Sequence, residues 1–272
     1  MTIAELAART GVSAATLRMW EARHGFPQPD RSDGGHRRYQ PEEVDRVQRV
    51  AAERQAGLAL PLAIRRVRDQ EPLEDVSLFA ELRRLHPELT PRTLTKRAMI
   101  GLSFAIEDET MARAERPILC GAFQRQRFYR QVQHRWQELA RTAFASFVFA
   151  DFTRVRRPAT SPMEVPLASG SPMMREWLLV SWDQRLAVCL VGWELPEQRQ
   201  PADSARRFEA VWTLETDLVR RAAHLCVGRV AGLAPALAAT ARERIDSLTG
   251  PGAAEQLRAA AALTTRMAEH LA

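Results

Sequence analysis

Between Thr16 and Tyr39 the chain reads TLRMWEARHGFPQPDRSDGGHRRY, and its arginines fall into two groups. Arg18 and Arg23 lie on a segment with helical spacing, whereas Arg31, His36, Arg37, Arg38 and Tyr39 flank Ser32-Asp33-Gly34-Gly35, which has the composition of a hairpin tip. Guanidinium groups stay charged, donate only, and match phosphate oxygens in a planar fork, so the chemistry on offer is polyanion binding. Other reactive groupings are poorer. Glu107, Asp108 and Glu109 are consecutive, and consecutive residues on a helix point different ways, which suits a salt-bridged face better than paired acid-base catalysis. His224 and Cys226 diverge for the same reason. The sequence holds no phosphate loop, nucleophile elbow or dinucleotide fingerprint, so an enzyme is not expected.

Composition sets the frame. With 272 residues, 46% of them hydrophobic, the chain can bury more than one core, and two domains are the natural expectation. A net charge of +6 and a pI near 10.1 favour an acidic partner, yet Lys96 is the only lysine, and arginine-biased codon usage would give the same total. Position must decide. Cys120, Cys189 and Cys226 lack paired spacing, which argues against a disulfide framework or a zinc knuckle. No long apolar run or signal-peptide pattern is evident, so a cytoplasmic protein without a membrane partner is expected, and no metal or cofactor is implied.

The elements around the arginines follow from their neighbours. Thr2 and Glu5 form a capping box before a helix with Ile3, Leu6 and Ala7 on one side; Gly11 allows a turn; Ser13 caps a second helix buried through Leu17 and Trp20. In this helix-turn-helix pattern Ala14, Ala15, Thr16, Arg18 and Met19 lead into a groove. Pro27 and Pro29 end the helix, and the basic hairpin forms a wing. A third helix follows Pro41 through Val44, Val47 and Val50 to Gly57, and a fourth runs from Pro61 to Arg68.

This order, with TLRMWEARHGFPQPDR, GGHRRY and QAGLALPLAI, resembles the DNA-binding domain of MerR-family transcription regulators over Thr2 to about Asp69. Trp20 and the run Arg23 to Pro27 look most like the branch that includes light- and cobalamin-responsive members. The resemblance implies a homodimer on double-stranded promoter DNA, with Thr16, Arg18, Trp20 and Arg23 in the recognition helix and its phosphate clamp, and Arg31, His36, Arg37, Arg38 and Tyr39 in the wing. Two departures stand out. Glu71-Pro72 interrupts the long dimerisation helix such proteins carry, and no Asp-X-His-X-X-Gly sequence is present, so cobalamin is not expected.

Beyond a linker over 71–89 that carries a short apolar helix ending before Pro87, the signals restart at Thr90 with Pro91 opening a long helix to Arg113. Strands are predicted over 118–123 and 146–150 with a helix between them, then a hairpin of 177–182 and 186–193, then helices over 206–227, 235–248 and 253–271. The expected fold is multidomain: an all-α winged helix-turn-helix domain at 1–70, an α/β domain with a mixed sheet and flanking helices at 90–233, and C-terminal helices at 234–272 available for dimerisation. KRAMI from Lys96, IEDE from Ile106, PILCGAF from Pro117 and ADF from Ala150 resemble the DICT domain, which implies a sensory role. Trp136, Trp177, Trp182 and Trp193, with Trp212, Phe123, Phe147 and Phe149, are candidates to line an aromatic pocket for an unknown small molecule or chromophore, with Asp151 and Glu194 at its rim. The alternative is a signalling adaptor with weak or lost DNA affinity.

Overall fold

A computed structural model describes residues 1–31, 37–55, 57–70, 77–196 and 203–271, and it divides into two units, Met1–Glu71 and Pro72–Ala272. In the first, α1 (Ile3–Thr10) starts at the Thr2–Glu5 capping box and ends on Gly11, whose φ of 71° only glycine adopts without strain. Ser13 accepts a hydrogen bond from the Thr16 N–H and so starts α2 (Ala14–His24). The wing strands β1 (Asp30–Arg31) and β2 (Arg37–Arg38) pair antiparallel, and α3 (Glu42–Gln55) and α4 (Leu60–Gln70) complete the unit. Leu6, Leu17, Trp20, Phe26, Tyr39, Val47, Val50, Ile64 and Val67 form one core.

The second unit is a three-layer sandwich. Its sheet has seven strands in the order β3 (Arg92–Thr95), β9 (Arg207–Thr213), β8 (Ala187–Glu194), β7 (Glu176–Trp182), β4 (Ile118–Gln124), β5 (Ala145–Ala150) and β6 (Met163–Pro166). β4, β5 and β6 are mutually parallel, and the other pairs are antiparallel. One face carries α5 (Leu78–Leu85), α8 (Thr216–Gly228) and α9 (Pro235–Ser247). The opposite face carries α6 (Lys96–Arg113), α7 (Gln126–Thr142) and α10 (Ala253–Leu271). Strand alternation sorts the residues: Cys120, Phe147, Phe149, Val180, Trp182 and Cys189 turn to the first face, and Leu119, Val148, Leu179, Val188 and Leu190 to the second.

Four features depart from the sequence expectation. The predicted helix over 206–227 begins as β9, because Phe208 and Ala210 bury against α6 while the backbone fills the gap between β8 and β3; helix starts only at Thr216. Residues 92–95 are a strand rather than the first turn of a helix, held by β9, and Thr95 instead caps α6 by accepting from the Ala98 N–H. β6 lies within 157–172, a Pro- and Ser-rich stretch in which no strand is predicted, where buried Met163, Glu164 and Val165 extend the sheet beside β5. α5 is the short apolar helix expected within the linker, but it belongs to the second unit, placing Leu78, Phe79 and Leu82 in its core.

The α6–α7–α10 face leaves little freedom. A Cβ at Gly121 would come within 2.4 Å of the Trp136 ring, which packs against β4 and is 1% exposed. Gly121→Ala should therefore destabilise the second unit by about 1–3 kcal/mol, the usual cost of overpacking a filled core. Denaturant unfolding measures this; an unchanged midpoint would mean that the indole slides aside freely.

Candidate nucleic-acid interface and sensor cavity

In the first unit α2 buries one side and presents the other. Leu17 and Trp20 enter the core, while Ala15, Arg18, Met19, Ala22 and Arg23 are exposed at helical spacing, with Met19 42% exposed. Small side chains at Ala15 and Ala22 let the helix approach a surface closely, and Arg18 and Arg23 project beyond them. Thr16 is half-buried and its hydroxyl lies 2.8 Å from that of Ser13, at the helix N-terminus.

Glu21 ties this helix to the wing. It accepts from the Tyr39 hydroxyl at 2.8 Å and pairs with Arg37 at 2.7 Å, so the returning strand is fixed against α2. The Tyr39 backbone is clamped as well: its N–H donates to the Met1 carbonyl at 2.8 Å, and its carbonyl accepts from the Met1 ammonium at 2.7 Å. Arg37 keeps 66% of its side chain exposed despite the ion pair. Arg18, Arg23 and Arg38 are exposed and make no ion pair among the described residues. Trp20 and Tyr39 are 5% and 1% exposed, which corrects their assignment to the contact surface: both pack the core and hold that surface from beneath. Arg31 lies in β1, and His36 falls outside the described residues.

The second unit contains an aromatic-walled cavity whose lining differs from the residues expected. A cavity of about 180 Å³ between α6, α7 and the sheet is walled by Phe104, Phe123, Phe128, Trp136 and Trp177. Its polar lining is Lys96, Ser103, Glu107 and Gln131. Trp136 and Trp177 meet there; Trp182 and Trp193 do not, since they turn to the opposite face with Phe147 and Phe149. Trp193 stacks instead under the Arg175 guanidinium, 4.9 Å from its ring centre. Trp212 is an exposed residue of β9. Asp151 accepts from the Gln126 N–H and caps α7, and Glu194 pairs with Arg206 at 2.6 Å; neither lines the cavity.

The Trp136 indole N–H donates to Glu107 at 3.0 Å, and the Trp177 indole N–H donates to Ser103 at 2.9 Å. Burial pushes the Glu107 carboxyl above its ordinary value, opposed by Arg135 and by the Trp136 hydrogen bond. Sequence reasoning missed Lys96, Ile100, Ser103, Phe104 and Glu107, although their spacing traces one helical stripe, as does that of Phe128, Gln131, Val132 and Trp136.

Comparison with known proteins fits this geometry. Residues 1–70 match the MerR HTH family of regulatory proteins, and residues 76–195 match the sensory domain in diguanylate cyclases and two-component systems, DICT. The chain thus carries a MerR-type HTH region followed by a DICT sensory domain. Residues 202–272 also match the C-terminal domain of a two-partite extracellular sensor domain. Among curated relatives, the HTH-type transcriptional repressor CarA of Myxococcus xanthus is 45% identical over 76 residues, 27% of this chain and 26% of CarA. The HTH-type transcriptional regulator MlrA of Escherichia coli (strain K12) is 39% identical over 49 residues, 18% of this chain and 20% of MlrA. The nodulation protein NolA of Bradyrhizobium sp. (strain NC92) is 42% identical over 67 residues, 25% of this chain and 28% of NolA. The matches thus span under a third of each relative's length. The DICT match takes in α5 and ends before β9, which lies in the third matched region with α8, α9 and α10.

The chain's two tyrosines fall one in each unit, which gives each a titratable marker. Tyr39 is pushed from 10.0 up to about 12 by burial and by its hydrogen bond to Glu21, and Tyr129 to about 12 by burial and by the nearby Glu164 charge. Stability present below pH 10.0 should therefore be lost as the pH rises through about 12, with phenolate absorbance delayed until then. Tyr39→Phe should remove the part of the delayed rise that belongs to the first unit. A phenolate step near 10.0 in the folded chain would contradict the buried hydroxyls.

Proposed function

We propose that this protein is a sequence-specific, DNA-binding transcription regulator that acts as a homodimer in the cytoplasm and whose DICT domain senses a signal that changes its grip on promoter DNA. The observation that carries the reading is the exposed face of α2, with Arg18 and Arg23 beside Ala15 and Ala22, set against the wing arginines by Glu21 and Tyr39. Such a face suits major-groove entry, with the wing bracing on the adjacent phosphates. A signal can act only by favouring one arrangement of the DNA-binding units over another. No catalytic step is part of this reading.

Duplex binding measured over a salt series tests it. Affinity should fall steeply with salt, and Arg38→Ala should weaken binding on all sequences and flatten the log-log slope by about one counterion. Arg18→Ala should cost about 1–3 kcal/mol and relax sequence preference if it meets a base edge. Binding that is insensitive both to salt and to these variants would favour the adaptor reading.

For dimerisation, α10 offers an outward stripe of Ala254, Leu257, Ala261, Thr264 and Ala268, and Leu257 is 74% exposed. Deleting the helix is a poor test, because Ala259 and Leu263 belong to the core. Leu257→Glu should instead convert a dimer to a monomer in sedimentation without lowering the thermal midpoint. A variant that remains a dimer would move the interface elsewhere.

A further inference from the structure

The sensory reading leaves open what the cavity on the α6–α7 face receives, and its chemistry narrows the answer. We propose that it binds an uncharged, planar ligand of one or two fused rings that carries an N–H or O–H donor at one edge. The inference rests on the sensory role proposed for this domain, and three observations support it.

Size comes first. At about 180 Å³ the cavity is close to an engineered apolar cavity of about 150 Å³ that takes up benzene, and well below the roughly 300 Å³ at which drug-sized sites begin. A single or bicyclic ring fits. Shape comes second: Phe104, Phe123, Phe128, Trp136 and Trp177 surround the space, so a flat π-system finds both faces and edges to meet. Two of these rings are held in place, Trp136 by Glu107 and Trp177 by Ser103, and Gly121 beneath Trp136 lets that indole lie directly on β4. The walls are set before any ligand arrives, which lowers the ordering cost of binding.

Charge comes third. The cavity has one cation and one carboxylate, and each already has its counter-ion. Lys96 pairs with Asp203 and lies 4.3 Å from the Phe128 ring centre, and Glu107 pairs with Arg135. A charged ligand would enter an apolar space with no unmatched partner, at the full cost of its lost hydration. Lys96 and Gln131 keep N–H donors towards the cavity, but beside the two indoles the hydrogen-bonding capacity that remains, on Ser103 and Glu107, is acceptor. Ser103 donates its proton to the Met99 carbonyl at 2.9 Å and accepts from Trp177, and both Ser103 and Glu107 keep spare lone pairs. A ring N–H or O–H satisfies one of them.

The test is calorimetric titration of the full chain with three probes that share a ring and differ in charge: indole, indole-3-carboxylate and tryptamine. Indole should bind saturably with one site per chain, and both charged analogues should bind at least about tenfold more weakly, reflecting uncompensated desolvation. Ile100→Trp fills the cavity from half-buried α6 and should abolish indole binding; Gln131→Trp, at the exposed rim, does the same if the first variant does not fold. A charged analogue that binds as tightly as indole, indole binding that survives a folded filling variant, or no binding by any probe overturns the proposal. Duplex binding measured on the same sample separates the two readings: DNA binding without indole binding rejects the ligand class alone, whereas indole binding without DNA binding supports the site and rejects the regulator.

Discussion

The second unit depends on the acidic triplet of α6 reaching three ways at once. Glu107 accepts from the Trp136 indole and pairs with Arg135 of α7; Asp108 pairs with Arg135 at 2.6 Å and meets His270 of α10 at 2.9 Å; Glu109 pairs with Arg266 of α10 at 2.9 Å and with Arg113. Because successive helical side chains diverge, three neighbouring carboxylates can bind two different helices, a task that one face could not perform. Glu107 and Glu109 are 3% and 1% exposed, so each would be costly without its partners. Ion pairs this buried add little net stability over apolar packing, but losing one partner would strand a buried charge, so the three carboxylates favour the register in which α6 meets α7 and α10. That register places Trp136 over Gly121 and thereby shapes one wall of the cavity.

Much of this was legible in the sequence, and what was missed shares a physical cause. The capping box, the Gly11 turn and the α2 stripe are local signals, and they were readable because neighbouring residues alone determine them. The separation of the triplet's side chains was readable for the same reason, but its partners were not, since Arg135, Arg266 and His270 are distant in sequence. β9 and β3 form because each pairs with a remote strand: RFEAVWT carries charged residues that blur its alternation, and RTLT is too short to show any. The aromatic pocket went astray over parity. Trp177 and Trp182 stand five apart on one strand, an odd spacing that sends them to opposite sides of the sheet, so the strand's period of two already separates them.

The boundary between the two family matches in the second unit falls inside a single sheet. β9 comes from the region matched to a two-partite sensor's C-terminal domain, yet it is hydrogen-bonded on one side to β8 and on the other to β3, both within the DICT match. Removing it would expose the edges of both neighbours and uncover Phe208 and Ala210 in the core. The C-terminal helices are bound to the same result: α8 and α9 cover one face, and α10 covers the other through Ala259 and Leu263. The two matched regions therefore form one compact unit, and the cavity between α6 and α7 has one wall, α6, that α10 braces.

Arginine content, ambiguous as a total, becomes informative once its partners are placed. In the second unit Arg113, Arg130, Arg135, Arg206 and Arg266 all serve carboxylates that are themselves partly or wholly buried, and others stack on rings, as Arg116 and Arg244 do on Phe144. Those charges are committed to the fold. In the first unit Arg18, Arg23 and Arg38 stand exposed without an ion pair among the described residues, and Arg37 is anchored by Glu21 while most of its side chain remains in solvent. Codon bias can raise the number of arginines everywhere, and Arg92, Arg97, Arg154 and Arg157 of the second unit are also exposed without an ion pair among the described residues, but in the first unit such residues gather along one helix and one strand. Such clustering is what a polyanion-binding surface requires: the uncommitted charge gathers where a rigid core of Leu17, Trp20 and Tyr39 holds it in place.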